Sequence, residues 1–314
     1  MDILHIDHGT QVRVLPSVVT IGNFDGVHIG HQQLLKRAVE LANQKGIRAS
    51  VMTFSPHPRQ VLGHGTQYDH SLTPRSQKLS LFSSMGIDYV FLISFTKEFA
   101  NVPAEQFVKS FIFENEIQHV IVGFDFTFGP GGKANAQMLK EMCAPRNIPV
   151  EILPPVNLYG EKVSSSLVRE KLQYGDIRLV RELLGRPYMI SGKVVHGEGR
   201  GRTIGFPTAN IVLEDKYVEP RTGVYAVKVE YDGAIHNGVM NIGFKPTFVQ
   251  NSKQLSLEVH LFDFQEDLYD ISIEVYFIDF IRPEQRFSSA DELICQIGKD
   301  CKAALVALEE QDFL

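Results

Sequence analysis

Gly22-Asn23-Phe24-Asp25-Gly26-Val27-His28-Ile29-Gly30-His31 joins a β-branched run, Val18-Val19-Thr20-Ile21, to a segment of helical period. In that segment Leu34, Leu35, Ala38, Val39, Leu41 and Ala42 share one face over residues 30–45, and Gly46 is a natural C-terminal stop. The pattern is strand, glycine-rich turn, helix. Such a turn lets the backbone approach a ligand and aims the helix's free amides at it, which suits phosphate oxygens. Two histidines three residues apart, with a glycine between, can turn toward the same polyphosphate. The residues also fit an ordinary strand-to-helix turn carrying two exposed histidines.

Working outward, Ser50–Phe54, Tyr89–Ile93 and His119–Val122 read as further short buried strands. Helical segments are expected from Thr73-Pro74 to Met85, stopped by Gly86, and near Pro103–Glu116. This order predicts a mostly parallel sheet covered by helices, with ligands at the carboxyl ends of its strands. A short helix over Asp176–Gly185 closes the unit, and Gly185-Arg186-Pro187 marks a boundary, dividing the chain into residues 1–185 and 186–314. Beyond it, Val224–Glu230, Leu255–Leu261 and Ile271–Phe277 are alternating or β-rich, and about Ala290–Glu310 is helical. A small antiparallel barrel or sandwich with a C-terminal helix is expected there.

Composition agrees with two folded domains. The chain has 314 residues, 44% apolar and 22% charged, with a net charge of −6. That charge argues against a broad nucleic-acid footprint, and no apolar run has the length of a membrane span. The first eleven residues carry Asp2, His5, Asp7 and His8 where a signal peptide needs a basic start and an apolar core. Three cysteines, Cys143, Cys295 and Cys301, make neither a disulfide framework nor the paired spacing of a zinc site. A reduced, cytoplasmic protein is expected, with small-molecule partners rather than nucleic acid or membrane. Gly129-Pro130-Gly131-Gly132-Lys133-Ala134 is not a P-loop, because the first glycine would fall at Thr127 and Ala134 stands where Ser or Thr should meet magnesium.

Three later segments join the first motif: Thr53-Phe54-Ser55-Pro56-His57-Pro58, Gly123-Phe124-Asp125-Phe126-Thr127-Phe128-Gly129, and Val163-Ser164-Ser165-Ser166-Leu167-Val168-Arg169. Singly, each has a plain reading: a stiffened loop, core aromatics with Asp125 turned the other way, and a serine helix cap followed by a solvated arginine. In order, they resemble the adenylyltransferase half of the prokaryotic bifunctional riboflavin kinase/FAD synthetases, within the nucleotidyltransferase superfamily. The resemblance implies a Rossmann-like domain in which Gly22, Asn23, Phe24, Asp25, Gly26, His28, Gly30, His31, Ser164, Ser165 and Arg169 bind ATP. Pro56, His57, Pro58, Asp125, Phe126 and Phe128 would form the FMN side.

In the second half, residues 196–205 pack four glycines and two arginines, Arg200 and Arg202, ahead of Phe206-Pro207-Thr208-Ala209-Asn210. On an extended strand Thr208 and Asn210 point the same way, and their oxygens suit a hard ion such as Mg²⁺ bridging phosphates. A glycine-rich hairpin with turn-capping side chains is the plain alternative. With Gly223-Val224-Tyr225, Asn241-Ile242-Gly243, Pro246-Thr247, Leu257-Glu258-Val259-His260 and Arg282-Pro283-Glu284, the stretch resembles riboflavin kinase, a small antiparallel β-barrel.

That resemblance implies nucleotide binding by Gly197, Gly199, Gly201, Arg202, Thr203, Gly205, Pro207, Thr208 and Asn210, with Mg²⁺ on Thr208 and Asn210. Asn241, Glu258 and Arg282 would meet the flavin, and Glu258 would be the general base, although a surface carboxylate on an alternating strand fits it too. Together the motifs imply two ATP-dependent reactions, riboflavin to FMN and FMN to FAD, with His28 and His31 catalytic in the second. One active half, a flavin-binding regulator on the same fold, or transfer to another acceptor are the alternatives.

Overall fold

The computed structural model describes residues 1–7, 14–63, 65, 68–197, 199–246 and 253–309. His8, Thr247 and Glu310, named above, lie outside them, as does Glu198 within the glycine-rich stretch. The chain forms two compact units, Met1–Ser165 and Ser166–Leu314. Among the described residues no helix is long and apolar enough to cross a membrane.

The first unit is a six-stranded parallel sheet. Its strands are β1 (Asp2–Ile6), β2 (Ser17–Ile21), β3 (Arg48–Ser55), β4 (Tyr89–Ser94), β5 (Ile117–Gly123) and β6 (Val150–Leu153), in the order β1-β4-β3-β2-β5-β6. The central strands are apolar on both faces because both are covered. Val18, Val51, Val90 and Ile121 meet helix α1 (Ile29–Lys45), while Val19, Ile21, Met52, Phe91 and Val122 meet Phe107, Phe111 and helix α3 (Ala136–Cys143). Helix α1 buries Leu34, Leu35, Ala38, Leu41 and Ala42, the face its period predicted, and each leucine contributes roughly 2 kcal/mol. It ends at Gly46, whose left-handed φ of 65° supplies the stop.

Two details depart from the sequence pattern. Helix α2 (Arg75–Ser84) starts one residue late, with Pro74 rather than Thr73 as its N-cap. The helix expected near Pro103–Glu116 is an α-turn at Ala104–Phe107, a π-helical stretch at Val108–Ile112 and a 3₁₀ turn at Phe113–Asn115. Phe107, Val108, Phe111 and Ile112 all enter the core.

The second unit opens with helices α4 (Ser165–Tyr174) and α5 (Ile177–Leu184); α4 begins on the last residue of the first. Asp176 caps α5 through the Leu179 amide, and Gly185 closes it. There follows a closed antiparallel barrel of β7 (Tyr188–Val195), β8 (Ala209–Leu213), β9 (Gly223–Tyr231), β10 (Ala234–Pro246), β11 (Lys253–Leu261) and β12 (Ser272–Arg282), ordered β7-β8-β11-β10-β9-β12. Of the barrel and the sandwich left open by the strand pattern, the barrel forms. Tyr188, Tyr225, Val227, Met240, Val259 and Phe277 are buried on its inner face.

Helix α6 (Ala290–Glu309) covers Val224, Ala226, Val239 and Ile278 on the outer face. Its anchor is polar. Asp300, with a side chain only 5% exposed, accepts from Arg282 Nε at 2.8 Å and Nη2 at 2.7 Å, and from Gln296 Nε2 at 2.8 Å. Cutting a buried pair on one side strands the other charge, at about 3 kcal/mol or more. Asp300→Ala is therefore expected to speed amide exchange across residues 290–309 by about a hundredfold, read by hydrogen–deuterium mass spectrometry.

Candidate functional site

The first unit's motif emerges from the end of β2 as a loop in which the carbonyls of Asn23, Asp25 and Val27 are each claimed by a side chain. The Asn23 carbonyl accepts from Lys78 Nζ at 3.1 Å and Thr53 Oγ1 at 3.3 Å. The Asp25 carbonyl accepts from Ser165 Oγ at 2.8 Å, and that of Val27 from Gln32 Nε2 at 2.9 Å. Asp25 itself is buried, and its Oδ1 accepts from the amides of Leu72 (2.9 Å) and Thr73 (3.4 Å). This network holds Phe24 and Val27 at φ of 51° and 42°, a region costly for both residue types. Phe24 is fully buried, edge-on to Phe82 and to His31.

His28 is the N-cap of α1. Its Nδ1 accepts from the His31 amide at 3.3 Å, so a ring proton resides on Nε2. Its ring stacks on that of His31, with centroids 3.6 Å apart and planes 16° from parallel. The side chain is only 6% exposed, and burial lowers its pKa from the usual 6.5 to about 4. Asp25 and Asp125 pull that value up and Lys162 pushes it down. A neutral His28 imidazole at a helix N-terminus is a hydrogen-bond donor for an anion rather than a cation.

Sequence reasoning overlooked two cations of this unit. Lys162 donates to Asp125 at 2.7 Å and lies 4.6 Å over the Phe124 ring. Lys78, on α2, has its ammonium pKa lowered by burial and raised by Asp25. Neither belongs to a glycine or histidine motif, and Lys78 reaches the loop only because α2 folds back against it.

The other expected residues divide. His57 caps the Pro58–Val61 turn through the Arg59 amide at 3.1 Å and stacks on Tyr68. Phe126 stacks on Phe128, which is buried in the core against Phe107. Arg169 is buried on α4, in the second unit.

In the barrel, register assembles the site. Asn210 on β8 stands opposite Glu258 on β11, and Glu258 stands opposite Asn241 on β10. The three form one rung on the outer face, because Leu257 and Val259 turn inward. The glycine loop lies against this rung: a Cβ at Gly197 would sit 2.1 Å from Asn210 Nδ2, and one at Gly201 would sit 2.3 Å from the Phe206 carbonyl. Only glycine fits at either place. His260 Nδ1 lies 2.7 Å from the Pro207 carbonyl and fixes the start of the Thr208–Asn210 segment. Arg282, expected at the flavin, spends its guanidinium on Asp300 and on the Pro283 carbonyl at 3.0 Å.

The His28 shift has a sign. Between pH 6.5 and 4 the unfolded chain takes up a proton that folded His28 refuses, so stability is full above pH 6.5 and falls on acidification. Over that window the loss reaches about 3 kcal/mol. In His28→Gln that increment should vanish, leaving a flatter dependence of first-unit urea unfolding between pH 7.5 and 4.5.

Known proteins share both halves. Residues 11–167 match the family model for FAD synthetase and residues 184–308 that for riboflavin kinase. The Bacillus subtilis bifunctional riboflavin kinase/FMN adenylyltransferase is 40% identical over 304 residues, 96% of each chain. That of Escherichia coli K12 is 39% identical over 285 residues, 90% of each. A Streptococcus pneumoniae crystal structure described as a macrolide-efflux protein superposes with a TM-score of 0.87 at 33% identity, over 95% of this chain and 97% of that one. With matches spanning both units and nearly the whole length, the chain belongs to the bifunctional riboflavin kinase/FMN adenylyltransferase family.

Proposed function

We propose that the chain makes FMN from riboflavin and ATP at the barrel, and FAD from FMN and a second ATP at the parallel-sheet domain. Family membership over both halves supports two activities rather than one. The division of labour falls between residues 1–185 and 186–314, and the enzyme works in the cytoplasm on small molecules.

In the kinase reaction the riboflavin 5′-hydroxyl attacks the γ-phosphorus of ATP, ADP leaves, and Glu258 takes the hydroxyl proton. Positioning and charge neutralisation carry most of such a transfer. The Asn210–Glu258–Asn241 rung beside the glycine loop is the observation that carries this reading. Amides between Gly197 and Gly205, with Arg202 and Thr203, receive the nucleotide. Asn241 and the end of β12 at Arg282 border the flavin.

Thr208 and Asn210 offer neutral oxygens next to a glycine cradle that any Cβ would fill, a donor set that fits Mg²⁺. Bound there, the ion would neutralise phosphate charge.

In the adenylyl transfer an FMN phosphate oxygen attacks the α-phosphorus of ATP and pyrophosphate departs. His28 and His31 donate to the charge that develops, and the lowered pKa of His28 keeps it a neutral N–H donor at working pH. The loop from Gly22 to Gly30 and Ser164 receive the triphosphate, and Ser165 holds the loop through the Asp25 carbonyl. Pro56, His57, Pro58, Asp125, Phe126 and Phe128 shape the FMN side, Phe128 from within the core.

Two variants separate the sites. His28→Ala with His31→Ala is expected to lower FAD formation by about a thousandfold or more while FMN still accumulates from riboflavin, ATP and Mg²⁺. Glu258→Gln is expected to stop FMN formation while FAD is still made from supplied FMN. Chromatography of the flavins over time reads both, and loss of both activities in either variant would contradict the two-site assignment.

A further inference from the structure

The outer face of β11 carries three polar side chains in succession, Ser256, Glu258 and His260, while Leu257, Val259 and Leu261 turn into the barrel. His260 has its task at Pro207. Ser256 lies one rung from Glu258, opposite Gly243, and is 8% exposed. Its hydroxyl donates to Glu258 Oε1 at 2.9 Å. Residues two apart on a strand share a face, so the bond follows from the extended backbone of β11 itself.

We propose that Ser256 is a positioning residue for phosphoryl transfer, holding the Glu258 carboxylate in the orientation from which it accepts the substrate proton. The proposal rests on the assignment of Glu258 as the base. In the step itself, the 5′-oxygen forms its bond to the γ-phosphorus as the bond from that phosphorus to the bridging oxygen of ADP breaks, and the hydroxyl proton passes to Glu258.

A carboxylate free to turn about its last side-chain bond spends part of its time misaligned. A hydrogen bond to one oxygen from a hydroxyl fixed on the same strand removes that freedom. Because Ser256 acts through Glu258, its loss should appear in the rate of the chemical step and not in affinity. A hydroxyl serving only to fill a buried notch would instead leave kcat alone, or change kcat and KM together.

The test compares Ser256→Ala, Ser256→Thr and Glu258→Gln in the full chain, with steady-state FMN formation at varied riboflavin and ATP. Ser256→Ala should lower kcat by about tenfold, with both KM values within about twofold of the parent and FAD formation from supplied FMN unchanged. Ser256→Thr, which keeps the hydroxyl, should stay within about threefold of the parent kcat. The proposal is overturned by a Ser256→Ala kcat near the parent's when Glu258→Gln is inactive. It is equally overturned by a proportionate change in kcat and KM, or by Ser256→Thr as slow as Ser256→Ala. Continued FMN formation by Glu258→Gln would instead refute the base itself.

Discussion

Irregular backbone can be brought to the edge of a sheet only if its polar groups find partners that leave room for a substrate. Both units of this chain are built around that constraint. At the end of β2 the carbonyls of Asn23, Asp25 and Val27 are claimed from behind by Lys78, Thr53, Ser165 and Gln32. With the carbonyls engaged there, the unusual dihedrals of Phe24 and Val27 can persist, and His28 is delivered to the first turn of α1. The barrel meets the same demand by subtraction. Glycine at 197 and 201 lets the loop close on Asn210 and on the Phe206 carbonyl without any side chain between them.

The two sites also divide the handling of charge. At the first, desolvation keeps His28 neutral among Asp25, Asp125 and Lys162, and Lys162 is itself paired with Asp125. At the second, Glu258 and neutral oxygens share one rung, while the nearby arginine, Arg282, is already compensated by Asp300. The net acidity of the chain thus describes neither site. Local pairing decides what an incoming phosphate meets.

Much of this was legible in the sequence. Central strands buried on both faces announce themselves as β-branched runs, and α1 as a stripe closed by Gly46. Edge strands do not: Asp2–Ile6 carries Asp2 and His5 with only Ile6 fully buried, and Val150–Leu153 has four residues. Among the barrel strands Ala209–Leu213 hid inside the motif that precedes it, and Tyr188–Val195 began at what read as a boundary. The glycine and histidine motifs stood out as candidate sites because they are local in sequence. Lys78, Lys162 and Asp300 escaped notice for the opposite reason, since each owes its role to a partner supplied by the fold, and Ser256 because a serine two residues from a carboxylate carries no mark of its own.

The capping bond of His28 narrows what its position can hold. The side chain must accept an amide proton one bond beyond Cγ and still present a donor farther out, away from its own helix. Lysine and arginine, the usual phosphate binders, have no acceptor and would uncap α1. Serine and aspartate cap well and then have nothing left to reach with. Asparagine keeps the acceptor, but its donor branches from the same carbon and falls short of where Nε2 lies. A rigid five-membered ring with nitrogens on opposite edges meets both demands, so the codon at position 28 is constrained by the folding of a helix as much as by the chemistry at its tip.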